Sequence, residues 1–593
     1  MQTFRIIAKN LSHENAASKL VLAAVRFFIL AVFERLPYRR PQWERLSQQI
    51  TEGVKQFQDA PCWEDAYFSL LELDAPRRLF MTMAVLCEAH NTGDTNDAFW
   101  AEESAWFDDV RPQFDALNAR LGSALCASPW RKELEEQLGG EIFRRAEVTA
   151  RAFSEQVVAD IQEEGRLSAA YSRVTANLAV EVDGVRRGLG ELSALQTQHT
   201  RAERAKLDLL RQQAFAEASP ELDRLYDELT RVRTRIAQKL GASSFTEIGY
   251  ARQARTSYGR DEAARFRAAI AAEITPLVAE IYTHQKHRMG FDTLWSYDED
   301  ADFPGDAPKP RSDDLLGLFE GIFSALSPET DVFYRELCRW RFFDLDNRPG
   351  KIRGAYSNHL PLYRLPFIFE TFDGSPDAIK TFAHECGHGL HSFLKRGEPF
   401  VDSCEACNDV SEIHSMSMEF FIWPYLDRIY NEKDAARYRM LHMKNALAFL
   451  PYGAAVDAFQ THIYDEPDLT PAQRLELWRS IEAHYLPWRR YQPGGFLDQG
   501  RAWQRQTHIY KWPFYYIDYA LAQTCALQFL FMDETDHAAA WRCYLELLRQ
   551  SGRFGFHDTL WQAGLQSPFE PASIRDIGLR AQALLNQMNE VIG

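Results

Sequence analysis

The sequence has few cysteines, no excess of basic residues and no long uninterrupted apolar run. Its 593 residues include nine cysteines, an odd number spread over the whole length. This usage excludes a dense disulfide framework and favours a reduced, cytoplasmic location. Acidic residues outnumber basic ones by 84 to 67, which gives a formal net charge of −17. Because nucleic-acid binding depends on neutralising phosphates with Lys and Arg, we expect no nucleic-acid partner.

One apolar segment lies near the N-terminus, where residues 20–33 read LVLAAVRFFILAVF. Fourteen residues with Arg26 at their centre are too few and too polar for a membrane span. The segment also lacks the small-residue cleavage site of a secretory signal. We predict a buried or amphipathic helix within an N-terminal extension of residues 1–35, and no membrane partner.

The rest of the chain has the balance of an ordinary globular protein, with 46% hydrophobic and 25% charged residues. Its length exceeds one core, so two lobes are expected: a helical lobe at 36–190 and a catalytic domain at 191–593. Strong helix formers dominate nearly everywhere. Strand signals are confined to 352–372, and Pro366 predicts an edge strand because proline donates no ladder hydrogen bond. The predicted fold class is mainly α with a small β-sheet.

Residues 375–397 read SPDAIKTFAHECGHGLHSFLKRG and predict one helix. Ser375 can cap its start, Pro376 suits the first turn, and Gly397 can take the left-handed position at its end. The HECGH motif therefore lies in the middle of a helix. The small residues Gly387 and Gly389 would allow close packing against a neighbouring element.

The two histidines of the motif have the spacing of metal ligands. His384 and His388 are four residues apart, so both imidazoles lie on one face of the helix. Glu385 is rotated about a hundred degrees from His384, which places it beside the metal where it can hold a water. We expect one zinc ion per chain, with Glu385 as the general base.

A third protein ligand is needed, because catalytic zinc sites have three and keep one position open. Glu412 lies 24 residues after His388 in a second helical pattern, DVSEIHSMSMEFF, and is the preferred candidate. Glu419, seven residues later on the same face, could accept the distal N–H of a ligand histidine. His391 and His414 are the rival ligands, and His391 would crowd the side already occupied by His388.

These segments resemble the thimet oligopeptidase and oligoendopeptidase F family of zinc metallopeptidases. The resemblance rests on HECGHGLH, VSEIHSMSMEFF, GAYSNHLPLYRLPFIFETF, AVDAFQTHIYDEP and GRAWQRQTHIYKWPFYYIDYALAQ, in this order, and extends from LPYRRP at 36–41 to near the C-terminus. It implies a mainly helical fold with a deep substrate channel between two lobes and zinc at its floor. It also implies an endopeptidase that hydrolyses internal bonds of short, unfolded peptides.

In the resembling family, a histidine and two nearby tyrosines point at the scissile carbonyl. They correspond most simply to His508, Tyr516 and Tyr519, since a helix beginning at Pro513 would place the two tyrosines on one face. Tyr510 and Tyr515 remain alternatives.

We further predict that Gly354, Ala355 and Tyr356 bind an extended peptide by strand addition.

Two other functions compete with this prediction. An aminopeptidase would need acids that hold a free α-amine, and no G-x-M-E-N-type segment accompanies the HExxH motif. A helical binding scaffold without catalysis is the second alternative, but the base and all three ligands are present. Cys404 and Cys407 lie between the two ligand segments and are read as free thiols, with redox control as the alternative.

Overall fold

The structure, a computed structural model, describes residues 32–189, 192, 200–304, 307–312 and 314–592. Most of the N-terminal extension, including nearly all of the apolar segment at 20–33, lies outside the described residues. So does the predicted lobe boundary at 190–191. Within the described part of the chain, no helix is long and apolar enough to cross a membrane.

The predicted mainly helical fold is confirmed, and the described residues form two small sheets where one was expected. The helices before residue 190 are α1 (Trp43–Gln58), α2 (Trp63–Gly93), α3 (Ala98–Ala127), α4 (Arg131–Leu138), α5 (Glu141–Ala150) and α6 (Val158–Ala176). Those that follow are α7 (Arg201–Lys239), α8 (Phe245–Arg252), α9 (Arg260–Ala269), α10 (Thr275–Arg288), α11 (Leu315–Leu326), α12 (Pro328–Trp340), α13 (Pro376–Lys395), α14 (Asn408–Phe421), α15 (Glu432–Asp465), α16 (Pro471–Tyr485), α17 (Thr507–Lys511), α18 (Tyr516–Thr535), α19 (His537–Gln550), α20 (Phe556–Gln562) and α21 (Pro571–Ile592).

A β-hairpin that the sequence analysis missed follows α6. Strands β1 (Ala179–Val182) and β2 (Val185–Gly188) pair antiparallel across a two-residue turn. The turn is Asp183-Gly184, with φ of 53° and 78°, and Asp-Gly is a favoured pair for such turns because both positions need positive φ. The prediction that strands are confined to 352–372 was therefore wrong, and this dipeptide was the available signal.

The second sheet has the order β3–β5–β4, formed by β3 (Phe343–Asp344), β4 (Ala355–Leu360) and β5 (Leu365–Glu370). Pro366 lies in β5, so its predicted place on an edge strand was wrong. The central position tolerates proline because β3 pairs only with Ile368 and Phe369, beyond the proline. The two edges of this sheet are formed by β3 and β4.

Helix α13 begins as its sequence predicts and ends differently. The Ser375 hydroxyl accepts a hydrogen bond from the Ala378 N–H at 3.1 Å, and Pro376 is the first helical residue. Gly397 does not take the predicted left-handed conformation. The last turn does not need it, because the Arg396 guanidinium donates to the Phe393 carbonyl at 2.7 Å.

The core around α13 fixes the position of the motif. This helix packs on β4 and β5 on one side and on α14 on the other, and α14 in turn packs on α18. Phe382, Cys386 and Leu390 are fully buried on α13. The helices that carry the predicted ligands therefore sit inside the molecule, between the small sheet and the C-terminal helices.

Candidate active site

Two helices cross at very short range where the predicted ligands meet. A Cβ atom on Gly387 would lie 2.4 Å from the His414 carbonyl oxygen and 2.7 Å from the Ser415 Cα. Only a residue without a side chain permits this approach of α13 to the backbone of α14. The glycine thus brings Glu412 next to the histidines on α13, as the small residue at this position of the motif predicts.

The three predicted ligands form a compact cluster. Ligand atoms of His384, His388 and Glu412 all lie within 4.8 Å of one another. The Glu412 Oε2 atom is 3.4 Å from His384 Nε2 and 3.6 Å from His388 Nε2. Tetrahedral zinc with ligands at 2.0–2.1 Å separates its donor atoms by about 3.3 Å, so this donor set fits the metal in chemistry and spacing.

Glu419 orients the first of these histidines. Its carboxylate is 2.7 Å from His384 Nδ1 and 2.8 Å from His442 Nε2. The Trp423 indole donates to His442 Nδ1 at 2.9 Å, so His442 must carry its proton on Nε2 and donate to Glu419. Burial raises the pKa of Glu419, but the bonds from His384 and His442 outweigh it and lower that pKa to about 2. An ionised Glu419 keeps the His384 proton on Nδ1 and leaves Nε2 free for a metal.

The cluster favours a cation. Burial lowers the pKa of His384, but the carboxylates of Glu412 and Glu419 outweigh burial and raise the pKa of His384 to about 10. The same negative charge that attracts a proton attracts a metal ion. Electrostatics and donor geometry therefore agree.

Glu385 lies beside the cluster, and one of its carboxylate oxygens has no hydrogen-bond partner. It is 6% exposed, and its Oε2 atom is buried without a partner. Burial raises the pKa of Glu385, the two histidines lower it and Glu412 raises it further.

The sequence analysis missed Glu370 at the end of β5, where burial and the charge of Glu385 raise the pKa of the Glu370 carboxyl to about 9. Glu370 is consequently protonated at neutral pH and adds no charge beside Glu385.

A relay of side chains sets the tautomer of His508. The Tyr452 hydroxyl donates to Gln506 Oε1 at 2.9 Å, and Gln506 Nε2 donates to His508 Nδ1 at 2.8 Å. Burial lowers the pKa of His508 to about 4, so the ring is neutral at pH 7 and carries its proton on Nε2. Neither Gln506 nor Tyr452 was singled out from the sequence, because their role depends on contacts between distant helices.

The arrangement of the tyrosines around His508 differs from the one predicted from the sequence. Helix α18 begins at Tyr516, but Tyr515 already has helical angles, so Tyr515 and Tyr519 are one turn apart. Their rings meet edge to face at 5.0 Å, and the Tyr515 hydroxyl donates to Glu412 Oε1 at 3.0 Å. The Tyr516 ring lies 5.0 Å from that of His508. The structure thus brings Tyr515, Tyr516 and Tyr519 to His508 and places the Tyr515 hydroxyl at the predicted ligand Glu412. Tyr510 is instead buried in the core.

The rival ligands stay outside the cluster among the described residues. His391 and His414 stack on each other at 4.2 Å, and His414 Nε2 bonds to the Ser551 hydroxyl at 2.8 Å. Burial lowers the pKa of His391 to about 3. Both therefore act as neutral core residues.

The thiols between the two ligand helices are not activated. Cys404 and Cys407 are free, and burial raises the pKa of Cys404 to about 12 and that of Cys407 well above its ordinary value. Redox chemistry needs the thiolate, which these sites disfavour.

A mainly helical chain with a half-buried His-His-Glu cluster and an acid beside it has the architecture of a metallopeptidase. Residues 33–153 match the peptidase M3 N-terminal domain, and residues 329–578 match peptidase family M3. The chain belongs to peptidase family M3, and it is a peptidase that acts on peptide substrates.

Solved structures agree with this assignment. A protein described as an oligoendopeptidase F is 37% identical with a TM-score of 0.88, covering 94% of this chain and 99% of its own. PZ peptidase A, solved with an inhibitor, is 36% identical with the same TM-score and coverage. A protein from Bacillus anthracis strain Ames, also described as an oligoendopeptidase F, is 34% identical with a TM-score of 0.84, covering 94% and 98%. No curated protein matches the chain.

Proposed function

We propose that this metallopeptidase is a zinc-dependent oligopeptidase that hydrolyses internal bonds of short, unfolded peptides. The observation that carries the proposal is the cluster of His384, His388 and Glu412, with the unpartnered Glu385 carboxylate beside it. The similarity to structures described as oligoendopeptidase F supports the same function.

His384, His388 and Glu412 would hold one zinc ion. A bound zinc acts as a Lewis acid on the peptide carbonyl and lowers the pKa of its water. Glu385 takes a proton from the attacking water and later delivers it to the leaving amine. Its raised pKa brings it closer to the operating pH, where a group can both accept and return a proton.

His508 and the tyrosines would stabilise the negative charge that develops on the carbonyl oxygen. The relay from Tyr452 through Gln506 presents His508 Nε2–H as a neutral donor. The rings of Tyr515, Tyr516 and Tyr519 all lie within 6 Å of the His508 ring. Because the Tyr515 hydroxyl donates to Glu412, Tyr516 and Tyr519 are the proposed hydroxyl donors. Preorganised donors of this kind typically contribute a factor of about 10² to 10³ in rate.

The substrate backbone would pair with β4. This strand forms an edge of its sheet, and its other side pairs with no strand in the part of the chain described. Gly354 precedes it with φ of 134°, and the Tyr356 hydroxyl is 2.7 Å from that of Thr92. An extended peptide can therefore add as a further strand at Gly354, Ala355 and Tyr356.

Removing single hydroxyls will separate the roles of the tyrosines. We expect Tyr519→Phe and Tyr516→Phe to lower kcat at least about tenfold with zinc affinity unchanged, because each loses a donor to the oxyanion. Tyr515→Phe should instead weaken zinc binding about tenfold or more, since its hydroxyl supports the ligand Glu412. The measurements are steady-state kinetics and zinc competition with a chelator. Unchanged kcat in both of the first two variants would contradict their assignment.

Substrate size tests the proposed function as a whole. We expect the zinc-loaded protein to cleave peptides of roughly five to twenty residues and to leave native globular proteins intact, because a folded loop must first unfold at a cost of several kcal/mol. The measurement is a time course with short peptides, a folded protein and its denatured form, each with and without a chelator. Rapid digestion of the native protein, or cleavage that persists after zinc removal, would refute the proposal.

A further inference from the structure

Two arginines beside the His508 relay have no acidic partner. Arg211 lies on α7, and Arg505 precedes Gln506 in the chain. Neither makes a hydrogen bond or an ion pair with any described residue, and the Arg211 Nε atom is buried without a partner. Arg505 only covers the ring of Phe215, at 5.8 Å. Both side chains are half-buried, and cationic groups that are withdrawn from water are normally paired.

The two guanidinium groups also repel each other. Burial lowers the pKa of Arg211, and the positive charge of Arg505 lowers it further, to about 9. The negative charges of Asp208 and Asp300 raise the pKa of Arg211, but their effects are smaller. Asp208 is already bonded to the amide of Gln212 at 2.6 Å. Two positive charges that lie this close together without a counter-ion would be stabilised by a bound anion.

Contacts connect this pair to the catalytic groups. Burial raises the pKa of Tyr452, and the charges of Arg489 and Arg505 oppose that rise, so Arg505 lies close to Tyr452. Tyr452 is the residue that bonds to Gln506, which in turn bonds to His508. The Arg489 guanidinium is occupied by Glu299, at 2.7 and 3.0 Å. Arg211 and Arg505 are therefore the unpaired cations on the His508 side of the described site.

We propose that Arg211 and Arg505 form a subsite that binds a carboxylate of the substrate peptide. The carboxylate is either the peptide's C-terminus or an Asp or Glu side chain. Guanidinium groups bind a carboxylate well because both groups are planar and the carboxylate charge is delocalised over two oxygens. The inference rests on the proposed peptidase function. It adds a substrate class, namely peptides that carry an anionic group at a fixed distance from the bond to be cleaved.

Matched peptides test the subsite in the zinc-loaded protein. One quenched fluorescent octapeptide without acidic side chains is made as the free acid and as the amide, and a series of amides carries a single Glu at each position in turn. We expect kcat/KM for one anionic form to exceed that of the neutral amide about tenfold or more, chiefly through KM. Preference for the free acid identifies the C-terminus, and preference for one Glu position identifies a side chain.

Substitutions assign the preference to the two arginines. In Arg211→Met and Arg505→Met, we expect the anionic advantage to fall to within about twofold, with kcat on the neutral amide retained. Arg224→Met is the matched control, since Arg224 is exposed on the same helix and ion-paired with Glu221 and Glu228. If a methionine variant unfolds, Arg211→Lys and Arg505→Lys keep the charge but lose the fork, and a reduced advantage is expected there.

Binding separates this inference from the peptidase function. Fluorescence anisotropy of labelled acid, amide and Glu-substituted peptides with the Glu385→Gln protein reports affinity without turnover. Tighter binding of an anionic form supports the subsite even if the wild-type protein cleaves nothing, in which case the proposed function fails alone. Equal affinity for all forms overturns the subsite, as does an advantage that survives in both methionine variants.

Discussion

Replacing Glu385 by glutamine is expected to lower kcat for peptide hydrolysis by about 10² to 10⁴ while the protein keeps its fold and its zinc. Glutamine retains the shape of the side chain but cannot accept a proton from water at neutral pH. Glu385 is not among the three clustered ligands, so metal content should not change. The measurements are single-turnover kinetics on a quenched peptide and zinc content by elemental analysis.

Glu370→Gln is the matched control for this substitution. Glu370 is buried next to Glu385 and is protonated at neutral pH, because its pKa is raised to about 9. Exchanging a neutral acid for a neutral amide of the same shape should change kcat less than about tenfold. Activity of Glu385→Gln within tenfold of wild type would show that another group acts as the base.

Gly387→Ala is expected to destroy the metal cluster although it changes no ligand. The added Cβ would lie 2.4 Å from the His414 carbonyl oxygen, which belongs to backbone and cannot rotate away. Helices α13 and α14 must then separate, and Glu412 moves relative to His384 and His388. Overpacking of this kind typically destabilises by about 1 to 3 kcal/mol. We expect zinc affinity to fall at least about a hundredfold and the melting temperature of the metal-free protein to drop.

Two other glycines and one ligand supply the controls. Alanine normally stabilises a helix relative to glycine by about 1 kcal/mol, so a loss in Gly387→Ala must come from the helix contact. Gly397→Ala has nothing within 4 Å of the new Cβ and should behave as wild type. Gly389→Ala meets the Phe333 side chain at 3.0 Å, and a smaller effect is expected. Glu412→Ala shows how far zinc affinity falls when a predicted ligand is removed. Tight zinc binding by Gly387→Ala would contradict the prediction.

Elements whose signals lie within one or two turns were predictable from the sequence. The start of α13 at Ser375-Pro376 and the shared face of His384 and His388 follow from capping chemistry and the helical period. The choice of Glu412 needed only a second helical pattern at a reachable distance. The mainly helical fold follows from composition, and the family from several motifs in order.

Features that depend on strand order or on the exact start of a helix were not predictable. Pro366 was assigned to an edge strand, whereas the short β3 leaves room for it at the centre of the sheet. The helix expected from Pro513 begins three residues later, and the contact of the Tyr515 hydroxyl with Glu412 joins residues 103 positions apart in the chain. Such details depend on which segments pack together, and a local pattern does not contain that information.

By itself, the sequence determined the chemistry of this protein: the residue types, their spacing along one helix, and hence a metal-dependent hydrolysis of peptides. Only the tertiary structure decided which distant groups lie next to the proposed catalytic residues. Gln506 and Tyr452 come from different segments to fix the tautomer of His508, and Glu370 lies at the end of a strand beside Glu385. The physical reason is that helix periodicity is encoded over a few residues, whereas hydrogen bonds and charges between helices act through space, between residues far apart in the chain.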